Sequence, residues 1–248
     1  MSLCKACEEP LFIEVEGEDG HDTTVPDDVL LTCGCHFHWQ CLLDEASSVA
    51  ISLKCPSCDT YLPVNQPGSS STNPVHQANS SAPILVQYTN EGGVQDDLDI
   101  LPVITEEAFL ESNPEARRAK AMHTMCVEGD AEGIMDLLRD ANEEQVDVGE
   151  LIRFQDPLDD MKSAFHFAVE GNHEPVVWLL LWLSSGLPTS DFPEAVRNQA
   201  EAFSINRLST GPESDVRALQ DEQGLTAEDL AQRSGHVSQL QQAGYLRA

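Results

Sequence analysis

Positive charge is scarce in this chain. Its 248 residues carry 13 lysines and arginines against 43 acids, a formal net charge of −30. A protein that grips a phosphate backbone needs a basic face, so nucleic acid is not an expected partner. The same balance suits basic partners and favours solubility, at some cost to the compact state. Long apolar runs are missing too. The longest, Val176 to Leu183, is too short to span a bilayer, so no membrane partner is expected. No apolar stretch follows Met1, where Cys4, Lys5 and Cys7 come at once. The expectation is therefore a chain without a secretory leader, in the reducing cytoplasm or nucleus. Enzyme motifs are equally scarce. There is no Gly-x-Ser-x-Gly, no phosphate-binding glycine loop and no dinucleotide fingerprint, so hydrolase and oxidoreductase chemistry has no support.

What the chain does have is a dense block of soft metal ligands. Seven of its eight cysteines fall within the first 58 residues, together with one well-placed histidine. The series is Cys4, Cys7, Cys33, Cys35, His38, Cys41, Cys55 and Cys58. A two-residue gap lets both thiolates of a knuckle reach one tetrahedral zinc without strain in the turn between them. Two such knuckles and a central block of four ligands make two complete sets of four. No position remains for a catalytic water, so the pattern predicts two structural Zn2+ ions. Disulfides are the competing reading, and both the reducing compartment and the knuckle spacing weigh against it.

Composition divides the chain into three. Residues 1–64 form the metal domain, too small to hold a core unaided. Zinc would supply on the order of 10–16 kcal/mol of folding energy per site. Leu11 to Val15 and Val29 to Leu31 read as short strands, Gly17 to Gly20 as a solvated acidic turn, and Leu42 to Ala46 as a short helix. Residues 65–99 are rich in Ser, Pro, Gly and Asn and read as a disordered linker, with Ile84-Leu85-Val86 incidental. Residues 100–248 read as helical, with Asn113-Pro114-Glu115 marking a helix start. Within them Met125 to Leu138 is echoed by Phe167 to Leu180, each copy a helix, a tight polar turn and a more apolar helix. Cys126 fits a buried packing thiol. Trp178 and Trp182, four apart on one helix face, fit a core. His173 has no cysteine at ligand spacing.

The metal block resembles the RING finger family. The resemblance rests on Thr32-Cys33-Gly34-Cys35-His36-Phe37-His38-Trp39-Gln40-Cys41-Leu42 and on Lys54-Cys55-Pro56-Ser57-Cys58, and it covers residues 4–58. It implies a small α+β cross-brace domain in which Cys4, Cys7, His38 and Cys41 hold one ion. Cys33, Cys35, Cys55 and Cys58 hold the other. Cys35 keeps the family's register, with the adjacent His36 as the alternative ligand. The resemblance also implies a ubiquitin-protein ligase, which binds a charged ubiquitin-conjugating enzyme and restrains its thioester for attack. Such catalysis works by orientation and needs no catalytic residue of its own. By analogy the enzyme-binding groove is lined by Lys5, Ala6, Leu42, Ile51 and Pro56. Three departures stand out: Ala6 where a large aliphatic is usual, no tryptophan in the helix after Cys41, and Asp59 in place of a basic residue. PHD fingers, which read histone tails, share the ligand types. This chain departs from them in its short Cys35-to-His38 gap, where theirs is longer, and in Leu53 where they carry an aromatic, and only Phe12, Phe37 and Trp39 are at hand for a cage.

The C-terminal part resembles ankyrin repeats. Ser163-Ala164-Phe165-His166-Phe167-Ala168 is similar to the Thr-Pro-Leu-His-x-Ala signature. Gly224 to Ala231, followed by Ser234-Gly235-His236, looks like a further copy, which leaves Gly186 to Leu208 as an insertion or a decayed repeat. The resemblance implies an all-α repeat domain that binds a protein substrate on its concave face. An unrelated helical bundle is the alternative. The combined expectation is a ligase that recruits a conjugating enzyme at one end and a substrate at the other. A non-catalytic zinc-binding adaptor is the second reading, favoured by Ala6 and Asp59.

Overall fold

The computed structural model describes residues 2–16, 22–63, 82–202, 206–208, 211 and 214–248. The acidic turn over 17–20 and the first part of the expected linker, 65–81, lie outside the described residues. The chain divides into two compact units, Met1–Pro114 and Glu115–Ala248.

In the first unit, β1 (Phe12–Glu16) pairs antiparallel with β2 (Asp22–Pro26), Phe12 opposite Pro26. β3 (Asp28–Leu31) then turns into the short β4 (His36–Phe37), and two helical segments follow, α1 (Trp39–Leu43) and α2 (Ala46–Ser52). Strand β3 alternates as a half-buried strand should, with Val29 and Leu31 inside.

The segment after residue 82 departs from the expected linker. β5 (Leu85–Asn90) and β6 (Gly93–Asp99) form a hairpin that completes a four-stranded sheet in the order β4-β3-β5-β6. Val29 lies opposite Tyr88 and Leu31 opposite Val86. The physical reason is an edge. Without β5, strand β3 would present unpaired backbone groups and bare apolar side chains to water. Ile84 and Val86 are therefore core residues, not incidental ones.

Helix α3 (Leu101–Ser112) also belongs to this unit rather than to the C-terminal one. It packs on α2, placing Ile100, Leu101 and Ile104 in one core with Val29, Leu31, Leu42 and Val49. The Asp99 carboxylate accepts from the Ile84 and Leu101 amides, tying hairpin and helix start together. The boundary between units thus falls after Pro114, not at residues 64 and 99.

The second unit is helical. α4 (Ala116–Glu128) and α5 (Ala131–Glu143) form a pair, followed by α6 (Val148–Arg153) and a small hairpin of β7 (Gln155–Asp156) with β8 (Lys162–Ser163). α7 (Ala164–Glu170) pairs with α8 (Glu174–Ser184). α9 (Glu194–Ala202) occupies the insertion, and α10 (Ala227–Ser234) with α11 (Ser238–Gln242) closes the chain. The first helices stack side by side, α7 between α4 and α10.

Polar side chains tie each pair to the next. Ser163 and His166 form a capping box at α7, and Thr226 and Asp229 another at α10. His166 Nδ1 accepts from the Ser163 backbone and hydroxyl, so Nε2 carries the proton and donates to the Leu225 carbonyl at 3.2 Å. His173 and His236 reach back to the carbonyls of Val127 and Glu170, each at 2.8 Å. Gly129 ends α4 at φ 80°, where a Cβ would come within 2.4 Å of the His173 ring, so only glycine fits both demands.

Arg207 secures the insertion. It donates to the carbonyls of Trp182, Ser185 and Leu187 and lies over the rings of Trp182 and Phe192. Trp178 is buried, as is Cys126.

Candidate metal centre

Four short loops carry the ligands. Cys4 and Cys7 sit in a tight turn before β1, closed by the Cys4 amide donating to the Glu9 carbonyl and the Glu8 amide to the Cys4 carbonyl. Cys33 and Cys35 flank Gly34 in the β3–β4 turn, where φ is 84°. His38 and Cys41 lie one helical turn apart at the start of α1. Cys55 and Cys58 repeat the first turn after α2: the Cys55 amide donates to the Thr60 carbonyl, and the Asp59 amide to the Cys55 carbonyl.

Folding brings these into two sets, Cys4, Cys7, His38 and Cys41, and Cys33, Cys35, Cys55 and Cys58. Within each set the ligand atoms lie within 4.8 Å of one another. A zinc ion with Zn–S bonds of about 2.3 Å puts its sulfurs roughly 3.8 Å apart, so the spacing suits one tetrahedral ion per set. Cys7 Sγ and Cys41 Sγ stand 3.3 and 3.8 Å from His38 Nδ1. His38 Nε2 is 2.9 Å from the Pro10 carbonyl, a bond that requires the proton on Nε2 and leaves the Nδ1 lone pair facing the sulfurs. Such outer partners fix the tautomer and aim of a ligating imidazole. The sets interleave along the chain, so each ion would fasten one terminal knuckle to the middle block.

His36 takes no part in either set. Its Nδ1 pairs with the Asp28 carboxylate at 2.8 Å, and Cys35 supplies the sulfur.

The electrostatics fit a bound cation. Burial, with the Cys7 and Cys4 sulfurs close by, pushes the Cys41 thiol up to about 12. Burial also raises Cys33, Cys35 and Cys55. Burial works the same way on Cys4, but the amides of Cys7, His38 and Ala6 outweigh it and draw this thiol down to about 6. The hydroxyl and amide of Thr60 bring Cys58 to about 6. Four thiols cannot all ionise at such close quarters without a compensating cation, and a coordinated thiol is deprotonated outright. The donor set is sulfur and imidazole throughout, which selects a soft or borderline ion, and all four positions of each set are filled by protein.

Of the expected groove residues, Lys5 and Ala6 are exposed, Ile51 is 73% exposed and Pro56 is half-buried. Leu42 is a correction. It is 2% exposed and packed in the core, because α1 turns it inward against the sheet, so it cannot line a surface groove.

Two residues of the site had drawn no notice in the sequence. Asp27, itself buried, accepts from the Trp39 amide at 3.2 Å and from the Tyr88 hydroxyl at 3.1 Å. It thereby satisfies the first amide of α1, the helix that carries His38 and Cys41. The Tyr88 ring lies 4.9 Å from Trp39, centroid to centroid. Burial and the neighbouring Asp27 charge raise the Tyr88 phenol. The signal was present in Leu85 to Gly93, an apolar start and an Asn-Glu-Gly-Gly turn that together spell a hairpin.

No family model, curated protein or solved structure matches this chain. Among the described residues, no helix is long and apolar enough to cross a membrane.

Proposed function

We propose that the chain is a RING-type ubiquitin-protein ligase built in two parts. The first unit would hold two structural zinc ions and recruit a charged ubiquitin-conjugating enzyme. The second, an ankyrin-like stack, would hold a protein substrate. The observation that carries this reading is the interleaving of two four-ligand sets across residues 4–58. Zinc would supply only rigidity there, since protein atoms fill every ligand position.

On this reading Lys5, Ala6 and Ile51, all exposed, and the half-buried Pro56 would form a contact patch for the conjugating enzyme. Restraining a thioester against an incoming amine removes orientational freedom and leaves the chemistry to the enzyme. The ankyrin-like reading is supported by the stacking of α4, α7 and α10 and by His166 tying one pair to the next. Joining recruiter and receptor in one chain raises the local concentration of target at the thioester. Cytoplasm and nucleus are the compartments this activity suits.

A zinc-stabilised adaptor without ligase activity is the second reading. Asp59 favours it: the residue is exposed, bends back at φ 56°, and puts an acid where such ligases carry a base.

The deciding experiment is thioester discharge and chain formation by the zinc-loaded protein against a panel of conjugating enzymes, with Cys33→Ser as control. Activity that vanishes in the variant supports the ligase. Two bound zincs with no activity across the panel favours the adaptor.

A further inference from the structure

A groove of about 390 Å³ opens on the side of the second helices, away from the stacked α4, α7 and α10. Met135 on α5, Trp178, Leu179 and Trp182 on α8, and Val196 on α9 form its apolar walls. One carboxylate, Glu174, lines it, the only charged lining residue among the described residues. Its Oε1 sits 3.3 Å from Trp178 Nε1, and its second oxygen has no partner among the described residues.

We propose that this groove receives a basic amphipathic segment of a partner protein, seating an apolar anchor on Leu179 and Trp182 and a lysine or arginine against Glu174. The inference deepens the receptor half of the proposed function and rests on it, while moving the contact from the concave face to the opposite side. Charge decides the occupant. Glu132 and Glu194 directly follow Ala131 and Pro193, two further lining residues. Of the basic residues on the lining helices, Arg139 is paired with Asp136, which leaves Arg197 as the local exception. Arg207 is already committed to three carbonyls beneath Trp182. A second copy of this chain, at −30, would be repelled. The segment 64–81 contains no lysine or arginine and cannot supply the cation. An anion is disfavoured by Glu174, and Pro175 removes an amide from the start of α8. A pocket of this size with apolar walls and one polar handle suits a large side chain with a charged neighbour.

The test is calorimetric titration of the full zinc-loaded chain with a synthetic amphipathic Leu/Lys helix. Two control peptides accompany it: the same composition scrambled so that the leucines share no face, and the Leu/Glu counterpart. The chain variants are Ala195→Trp, an exposed lining position that would fill the mouth, and Glu174→Lys. The Leu/Lys helix is expected to bind at least about tenfold tighter than its scramble, and the Leu/Glu helix not at all. Ala195→Trp should cost about tenfold and Glu174→Lys several-fold. Equal binding of the scramble would reduce the effect to bulk charge and overturn the proposal. So would unchanged binding by Ala195→Trp, or no binding by the wild-type chain. No conjugating enzyme is present, so this outcome is independent of whether the chain transfers ubiquitin.

Discussion

His123→Leu should stabilise the helical unit, and the gain should grow as the solution is acidified. His123 lies on α4 at 4% exposure, against the rings of Phe167 and Phe154 at 4.8 and 5.7 Å. Neither ring nitrogen has a hydrogen-bond partner among the described residues, the nearby Phe154 backbone falling outside hydrogen-bond geometry. Burial drives its pKa from 6.5 down to about 4, with Asp156 opposing and Lys120 assisting the shift. Because the folded value is the lower one, the unfolded chain takes up the proton first as pH falls. The stability carried by neutral His123 is thus whole above about pH 6.5 and drains away between 6.5 and 4. At ~1.36 kcal/mol per unit, that gap amounts to about 3 kcal/mol. Leucine does not titrate and leaves no orphaned nitrogen, which at neutral pH is worth about 1–2 kcal/mol, less some lost ring contact. Hydrogen exchange of the α4 and α7 amides, in full-length variant and wild type at matched pH, reads the difference and cancels the pH dependence of exchange itself. A difference that stays flat from pH 7 to 4.5 would refute the burial argument. So would a variant clearly less stable at pH 7.

Metal analysis of the purified chain should find two zincs, one after Cys35→Ser, and still two after His36→Ala, whose ring serves Asp28 instead. Tyr88→Phe strips one donor from buried Asp27 and should cost about 1 kcal/mol by urea unfolding, while Tyr88→Ala should cost more and change the Trp39 fluorescence. His166→Ala removes a cap and the link to Leu225, and a loss of about 2 kcal/mol in the helical unit is expected, with an effect below about 0.5 kcal/mol counting against that role. A fragment of residues 1–64 should bind zinc yet aggregate or exchange its β3 amides rapidly, whereas 1–114 should be monomeric and protected. Equal protection in the two fragments would mean that the β5–β6 hairpin adds nothing.

Ligand spacing was the most legible feature of this chain because coordination chemistry is local. A knuckle needs two thiolates across one turn, and that demand is written in consecutive residues such as Cys55 to Cys58. The choice of Cys35 over His36 is subtler, yet it too follows from alternation. On a strand turning out of β3, neighbours point to opposite sides, so only one of the two can face the ion while the other meets Asp28. Leu42 carries no such directional signal in the sequence, since a helix of one turn gives no periodicity from which to tell an inward face from an outward one.

The misplaced boundary has a different cause. Ile84, Val86 and Tyr88 make their contacts with Leu31, Val29 and Asp27, more than fifty residues earlier, and composition cannot see a partner at that distance. A serine- and proline-rich stretch just before them made the whole segment read as tether. The clue lay in an energetic shortfall rather than in a motif. Sixty residues with two zincs supply ligands and turns but leave β3 with an open edge, and an edge of Val-Leu-Leu has to be covered by something. The hairpin and α3 cover it. Asp27 then joins the added sheet to the first amide of the helix bearing His38 and Cys41, so that helix is held in place in part by Tyr88, thirty residues beyond the last ligand.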